Sequence, residues 1–226
     1  TVGPSTGSAF GPPCIQPGRR ELMKGSAVKV AVLASGEGTN AERLIRAAAE
    51  RADVDIAFVG SNRPAAGALR RAESLGVPQW VFTKEELCSG EVARRLHREG
   101  IDFIALVGFL LKVPPDLVAA FGGRMLNLHP SLLPAFGGKG MYGDRVHAAV
   151  HGALKQGGVH ETGITLHWVT AEFDEGPAFF QARVALDVDT DTPDTISEKV
   201  RALEKAHYAP QALRAILESV SLSSTP

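Results

Sequence analysis

The chain has 226 residues, a formal net charge of −1, and 44% apolar against 22% charged side chains. This is the make-up of an ordinary globule long enough to bury a continuous core, read as one domain, and it gives no sign of a nucleic-acid or membrane-surface partner. Two cysteines, Cys14 and Cys88, cannot build a disulfide framework; with no apolar run near the ~18 residues of a membrane span and no signal-peptide pattern, a cytoplasmic setting is expected.

Residues 1–26 are rich in Gly, Pro and Ser without hydrophobic period, so a flexible extension is expected there, with the domain spanning 27–220. Met23, just before the ordered pattern, suggests a natural start, which N-terminal sequencing of the protein from its native cell tests. From Val28 onward short β-branched runs alternate with amphipathic stretches, the pattern of an α/β domain with a mostly parallel twisted sheet flanked by helices. Strands are predicted at 28–34, 54–60, 79–82, 101–107 and 125–128, with helices at 40–51, 64–75, 89–99 and 114–121. Pro64, Pro114 and Pro115 stand at or near helix starts, where a missing N–H costs nothing. A Gly- and Pro-rich loop at 130–143 leads to a helix near 144–156, strands at 163–169 and 178–186, and a last helix over about 192–218. The pairs Arg70-Arg71 and Arg94-Arg95 sit on helical patterns beside acids and read as solvated faces.

The first predicted strand ends in Ser35-Gly36-Glu37-Gly38-Thr39-Asn40 and runs straight into a helix. Free backbone N–H groups and the positive end of the helix dipole converge at such a turn, which suits an anion, most naturally a phosphate. The turn lacks the third glycine of the dinucleotide fingerprint and the Gly-Lys-Ser/Thr of a P-loop, so a small phosphorylated ligand fits better than NAD or ATP. Taken alone, it is equally a tight strand-to-helix connection.

Asn127-Leu128-His129-Pro130-Ser131-Leu132-Leu133-Pro134 lies where a buried strand gives way to a rigid loop. Residues two apart on a strand share a face, so Asn127 and His129 project together at the carboxyl edge of the sheet, where open α/β folds bind ligands. An amide beside an imidazole suits acyl transfer: both can hold a developing oxyanion, and the imidazole can exchange a proton with an amine. In the loop Thr170–Pro177, Asp174 adjoins a Gly-Pro break. Brought to the His129 side it would raise the imidazole pKa and position a water; a charged surface turn is the alternative, and the preferred reading for Glu172 and Glu175.

Together with Gly108-Phe109, Gly138-Lys139-Gly140 and Asp174-Glu175-Gly176-Pro177, these strings resemble, in order and interval across residues 28–218, the phosphoribosylglycinamide formyltransferases of the folate-dependent formyltransferase superfamily. The resemblance implies a single-domain, Rossmann-like formyltransferase fold and transfer of the formyl group of 10-formyltetrahydrofolate to the amine of glycinamide ribonucleotide in purine biosynthesis. It implies that Gly38, Thr39 and Asn40 hold the substrate phosphate and that Arg201 and Glu204, on the last helix, contact the ribonucleotide. Asn127 and His129 would stabilise the oxyanion, with Asp174 organising a water that moves the proton. The backbone of Leu110, Leu111, Lys112 and Val113 and the loop of Thr170, Ala171, Glu172, Phe173 and Asp174 would cradle the folate pterin beside Asn127. His167 matches a position near the centre, and a structural histidine is equally consistent with it. The loop 136–143 departs from many relatives, which carry a shorter one.

The implied partners are two small molecules, with neither nucleic acid nor membrane, and the chain a monomer or homodimer. No metal is expected, because no set of histidines and carboxylates has ligand spacing. A methionyl-tRNA formyltransferase would be expected to add an RNA-binding domain, and a formyltetrahydrofolate deformylase a regulatory one. A sugar-nucleotide formyltransferase has less use for the phosphate turn, and a non-catalytic sensor would tolerate loss of His129.

Overall fold

The computed structural model describes residues 26–221, with side chains to 219, so the expected N-terminal extension lies almost wholly outside the described residues. In chain order the elements are β1 (Val28–Leu33), α1 (Thr39–Ala49), β2 (Val54–Ser61), α2 (Gly67–Ser74), β3 (Gln79–Val81), α3 (Lys84–Cys88), α4 (Glu91–Arg98), β4 (Phe103–Leu106), α5 (Pro115–Ala120), β5 (Met125–His129), α6 (Asp144–Lys155), β6 (Glu161–Trp168), β7 (Ala178–Ala185) and α7 (Pro193–Ser221). The described strands form one sheet in the order β3-β2-β1-β4-β5-β6-β7. The first five in sequence pair in parallel, while β6 runs antiparallel to both β5 and β7.

The alternation of β1 explains why it sits at the centre. Val30 and Val32 enter the apolar cluster shared with α1, α2, α6 and α7, while Ala31 and Leu33 enter the opposite cluster with α3, α4 and α5. A strand apolar on both faces must be covered on both, which places β1 inside a three-layer sandwich. The chain leaves β1 towards β2 and β3, then returns to lay β4 on the other side of β1. That reversal opens a crevice at the carboxyl ends of β1 and β4, where such sheets take ligands.

The helix expected over 89–99 is α4, and a short helix that the sequence does not predict, α3, precedes it. Gly90, at φ 77°, separates α3 from α4, and α3 opens with a complete capping box in which Thr83 and Glu86 satisfy each other's backbone N–H groups. The helix expected from 64 starts at Gly67, because Pro64 occupies the approach rather than the first turn.

Candidate active site

At the end of β5, Asn127 pairs in register with Leu106 of β4 on one side and His167 of β6 on the other. Its Nδ2 lies 3.0 Å from His167 Nε2 and 3.4 Å from Asp174 Oδ1. His167 Nδ1 is 3.1 Å from the Trp168 carbonyl. A carbonyl only accepts, so Nδ1 carries the proton and the Nε2 of the neutral ring accepts from Asn127. In the imidazolium form Nε2–H instead faces Asp174 Oδ1, 3.5 Å away.

His129 is 3% exposed. Its Nε2 donates to the Phe136 carbonyl at 2.8 Å, which leaves Nδ1, 3.5 Å from Asp174 Oδ2, as the nitrogen that can take up a proton. Burial pushes the imidazole below its ordinary pKa, and the upward pull of Asp174 and of the Phe136 carbonyl does not overcome it. The carboxylate acts in the direction expected from the sequence, but desolvation, which the sequence does not show, outweighs it.

Asp174 arrives at this spot because its loop folds back on β6. Trp168 N–H donates to the Pro177 carbonyl at 3.0 Å, and Gly176 lies so close to the Trp168 carbonyl that a β-carbon there would overlap it. Asp174 itself takes φ 57°, a left-handed conformation that Asp tolerates better than most residues. Burial works to raise its pKa, yet the His167 hydrogen bond, the His129 charge and the Gly138 N–H, 3.0 Å from Oδ2, hold the carboxyl below the usual range. A cleft of about 440 Å³, lined by Leu133, Pro134, Gly137, Gly138, Ala178 and the loop from Phe173 to Gly176, opens beside this carboxylate.

The glycine turn lies at the end of β1, on the same edge. Gly38 is the N-cap of α1 at φ 76°, with no side chain to occupy the first-turn N–H groups, and a β-carbon on it would collide with the Ala68 backbone. Thr39 is exposed and Asn40 buried. Asn40 Nδ2 donates to Glu204 Oε2 at 2.9 Å and its Oδ1 accepts from Arg43, so the side chain ties α1 to α7 and its backbone N–H remains for an anion. Burial raises the Glu204 pKa against the pull of Asn40, Arg43 and Arg201. Arg201, exposed one turn before Glu204, shares that corner.

The match to known proteins decides the family. The family described as formyl transferase matches residues 28–213. The chain belongs to the formyl transferase family. It is 36% identical over 187 residues to a chloroplastic phosphoribosylglycinamide formyltransferase of Arabidopsis thaliana, covering 80% of this chain and 62% of that protein. It is 33% identical over 195 residues to phosphoribosylglycinamide formyltransferase of Bacillus subtilis, covering 84% of this chain and 94% of that one. Of two animal relatives at 36% and 33% identity it spans only 18% and 14%. The crystal structure of phosphoribosylglycinamide formyltransferase from Anaplasma phagocytophilum superposes with a TM-score of 0.73 at 30% identity, covering 85% of this chain and 88% of that chain.

Within this formyl transferase the two loops assigned to the pterin meet in space. Lys112 Nζ bonds Glu172 Oε2 at 3.0 Å and lies 5.7 Å from the centre of the Phe173 ring. Glu172, read as solvated charge, is thus one half of an exposed ion pair. The Leu110 N–H is anchored 3.1 Å from Ser35 Oγ, which joins the loop after β4 to the glycine turn, and Val113 is buried beneath it. Among the described residues no group of three or more His, Cys, Asp or Glu is placed to hold a metal, and no helix is long and apolar enough to cross a membrane. Sequence reasoning left His167 undecided although it contacts both Asn127 and Asp174, and it did not find the backbone groups of Phe136 and Gly138.

Proposed function

We propose that the chain transfers the formyl group of 10-formyltetrahydrofolate to the amine of glycinamide ribonucleotide, in the cytoplasm, as a step of purine biosynthesis. The observation that carries the reading is the placement of the glycine turn and the Asn127, His129 and Asp174 cluster along one carboxyl edge, on the adjacent strands β1, β4 and β5. Its support is the family and the names of the relatives.

In this reading the acceptor phosphate rests on the N–H groups of Gly38, Thr39 and Asn40, and its sugar faces Glu204 and Arg201. The pterin lies between Leu110–Val113 and Thr170–Asp174, with the cleft beside Asp174 at its edge. The acceptor amine attacks the formyl carbon, and the carbonyl electron pair moves to oxygen. Asn127 Nδ2–H stabilises that oxyanion. The neutral His129 takes the ammonium proton at Nδ1 through a water held by Asp174, and its imidazolium then adds to the stabilisation. The proton is returned to N10 of the folate as the carbon–N10 bond breaks, which yields the formamide and tetrahydrofolate.

A spectrophotometric assay of folate product release tests this directly. Turnover is expected only with both the 10-formyl donor and glycinamide ribonucleotide present; product release without the ribonucleotide would show a hydrolase instead. Asn40→Ala is expected to raise the KM for the ribonucleotide about tenfold, through loss of the Glu204 tether, and that for the donor by less than about twofold. Equal effects on both substrates would argue against a phosphate role for the turn.

A further inference from the structure

The glycine turn is held in shape from outside by α2. Ala68 N–H donates to the Gly36 carbonyl at 3.1 Å, and Arg71 Nε donates to the Glu37 carbonyl at 2.8 Å. The carbonyl and N–H of a trans peptide point in opposite directions within one rigid plane. Pinning the carbonyls of Gly36 and Glu37 towards α2 therefore turns the N–H groups of Glu37 and Gly38 away from it. With Gly38 in the left-handed region and α1 starting directly after it, successive N–H groups converge into a nest for an anion.

Arg71, read from the sequence as part of a solvated face, is only 37% exposed in its side chain. Its charge is not offered to a ligand, because Nη1 pairs with the Glu42 carboxylate, which also binds Arg46. What the guanidinium does is lock one peptide. Released from it, the Glu37–Gly38 peptide can flip and present a carbonyl, rather than an N–H, to an incoming anion, which turns attraction into repulsion.

We propose that Arg71 is a positioning residue of the acceptor site, holding the Glu37–Gly38 peptide so that its N–H faces the substrate phosphate. This rests on the assignment of the turn to that phosphate. The test is steady-state kinetics of wild type, Arg71→Ala, Arg71→Lys and Glu42→Gln, with ribose 5-phosphate as a competitive probe. Arg71→Ala is expected to raise the KM for glycinamide ribonucleotide and the inhibition constant of ribose 5-phosphate together by about tenfold, with the donor KM within about twofold. Arg71→Lys, which keeps one donor, should fall between it and wild type, and it decides the matter if the alanine variant does not fold. Glu42→Gln loses the ion pair but keeps the carbonyl bond, so it should bind both phosphates as wild type does. Unchanged acceptor constants in the Arg71 variants, a parallel rise in both KM values, or a Glu42→Gln defect as large as that of Arg71→Ala would overturn the proposal. If ribose 5-phosphate does not compete with the ribonucleotide on wild type, the phosphate assignment itself falls and the role of Arg71 with it. Competition on wild type that is undiminished in Arg71→Ala removes only Arg71.

Discussion

Asn127→Ala is expected to lower kcat by about 10²–10³ while the fold and both KM values stay near wild type. The amide has two N–H groups. One is taken up by His167 Nε2 at 3.0 Å, and the other has only the long 3.4 Å approach to Asp174 Oδ1, so it is free to serve an oxygen that becomes negative during the reaction. An interaction made only in the transition state is lost from kcat and not from ground-state binding. The strand has no reason to fail, because its pairing to β4 and β6 is through the backbone. Turnover measured with both substrates saturating, beside a thermal melt of the variant, separates the two effects. Activity within a few-fold of wild type in a folded variant would remove Asn127 from the oxyanion.

The legible parts of this molecule are those in which chemistry and periodicity coincide locally. β1 and β4 announce themselves as short runs apolar on both faces, and α7 as the long helical stretch that follows the last strand. Asn127 and His129 can be placed on one side of a strand end from their spacing alone. The capping box at Thr83 and Glu86 is equally local, but α3 is too short to show a helical period, so no helix is expected before residue 89. Other features depend on strand order. Whether His167 is structural or central turns on β6 lying antiparallel beside β5 with His167 opposite Asn127, which no local pattern encodes. The link from Asn40 to Glu204 crosses 164 residues, and only a family resemblance could suggest that they share a site. The Phe136 carbonyl and the Gly138 N–H belong to the backbone, so no residue type marks them. The pKa direction of His129 is a balance between burial and a carboxylate, and a sequence shows the second without the first.

Asp174→Asn should produce the other large loss, with kcat falling by about 10²–10⁴ as the proton path is interrupted. The substitution keeps the shape and can keep the acceptor for Gly138 N–H, so the loop should stay in place. It removes the negative charge that lies 3.5 Å from both His129 Nδ1 and His167 Nε2. The sign of the accompanying pH effect follows from the two opposing influences on His129. Burial already holds its pKa low and Asp174 is the main upward pull, so the variant imidazole should lie lower still. Wild type is therefore expected to show an acid limb of kcat/KM below the ordinary histidine value of ~6.5, set by the coupled cluster rather than by one residue. The variant should show that limb displaced to lower pH on a much reduced plateau. Stability carries the same signs. Asp174, depressed in the folded state, contributes stability above its unfolded pKa that is lost as pH falls through its folded value. A depressed His129 lets the unfolded chain bind its proton first, so stability also erodes as pH falls below ~6.5. Rate profiles of wild type and Asp174→Asn, with melting temperatures at each pH, distinguish the two contributions. A limb that moves to higher pH in the variant, or a plateau close to that of wild type, would take Asp174 out of the proton path and leave it as a structural partner of the two histidines.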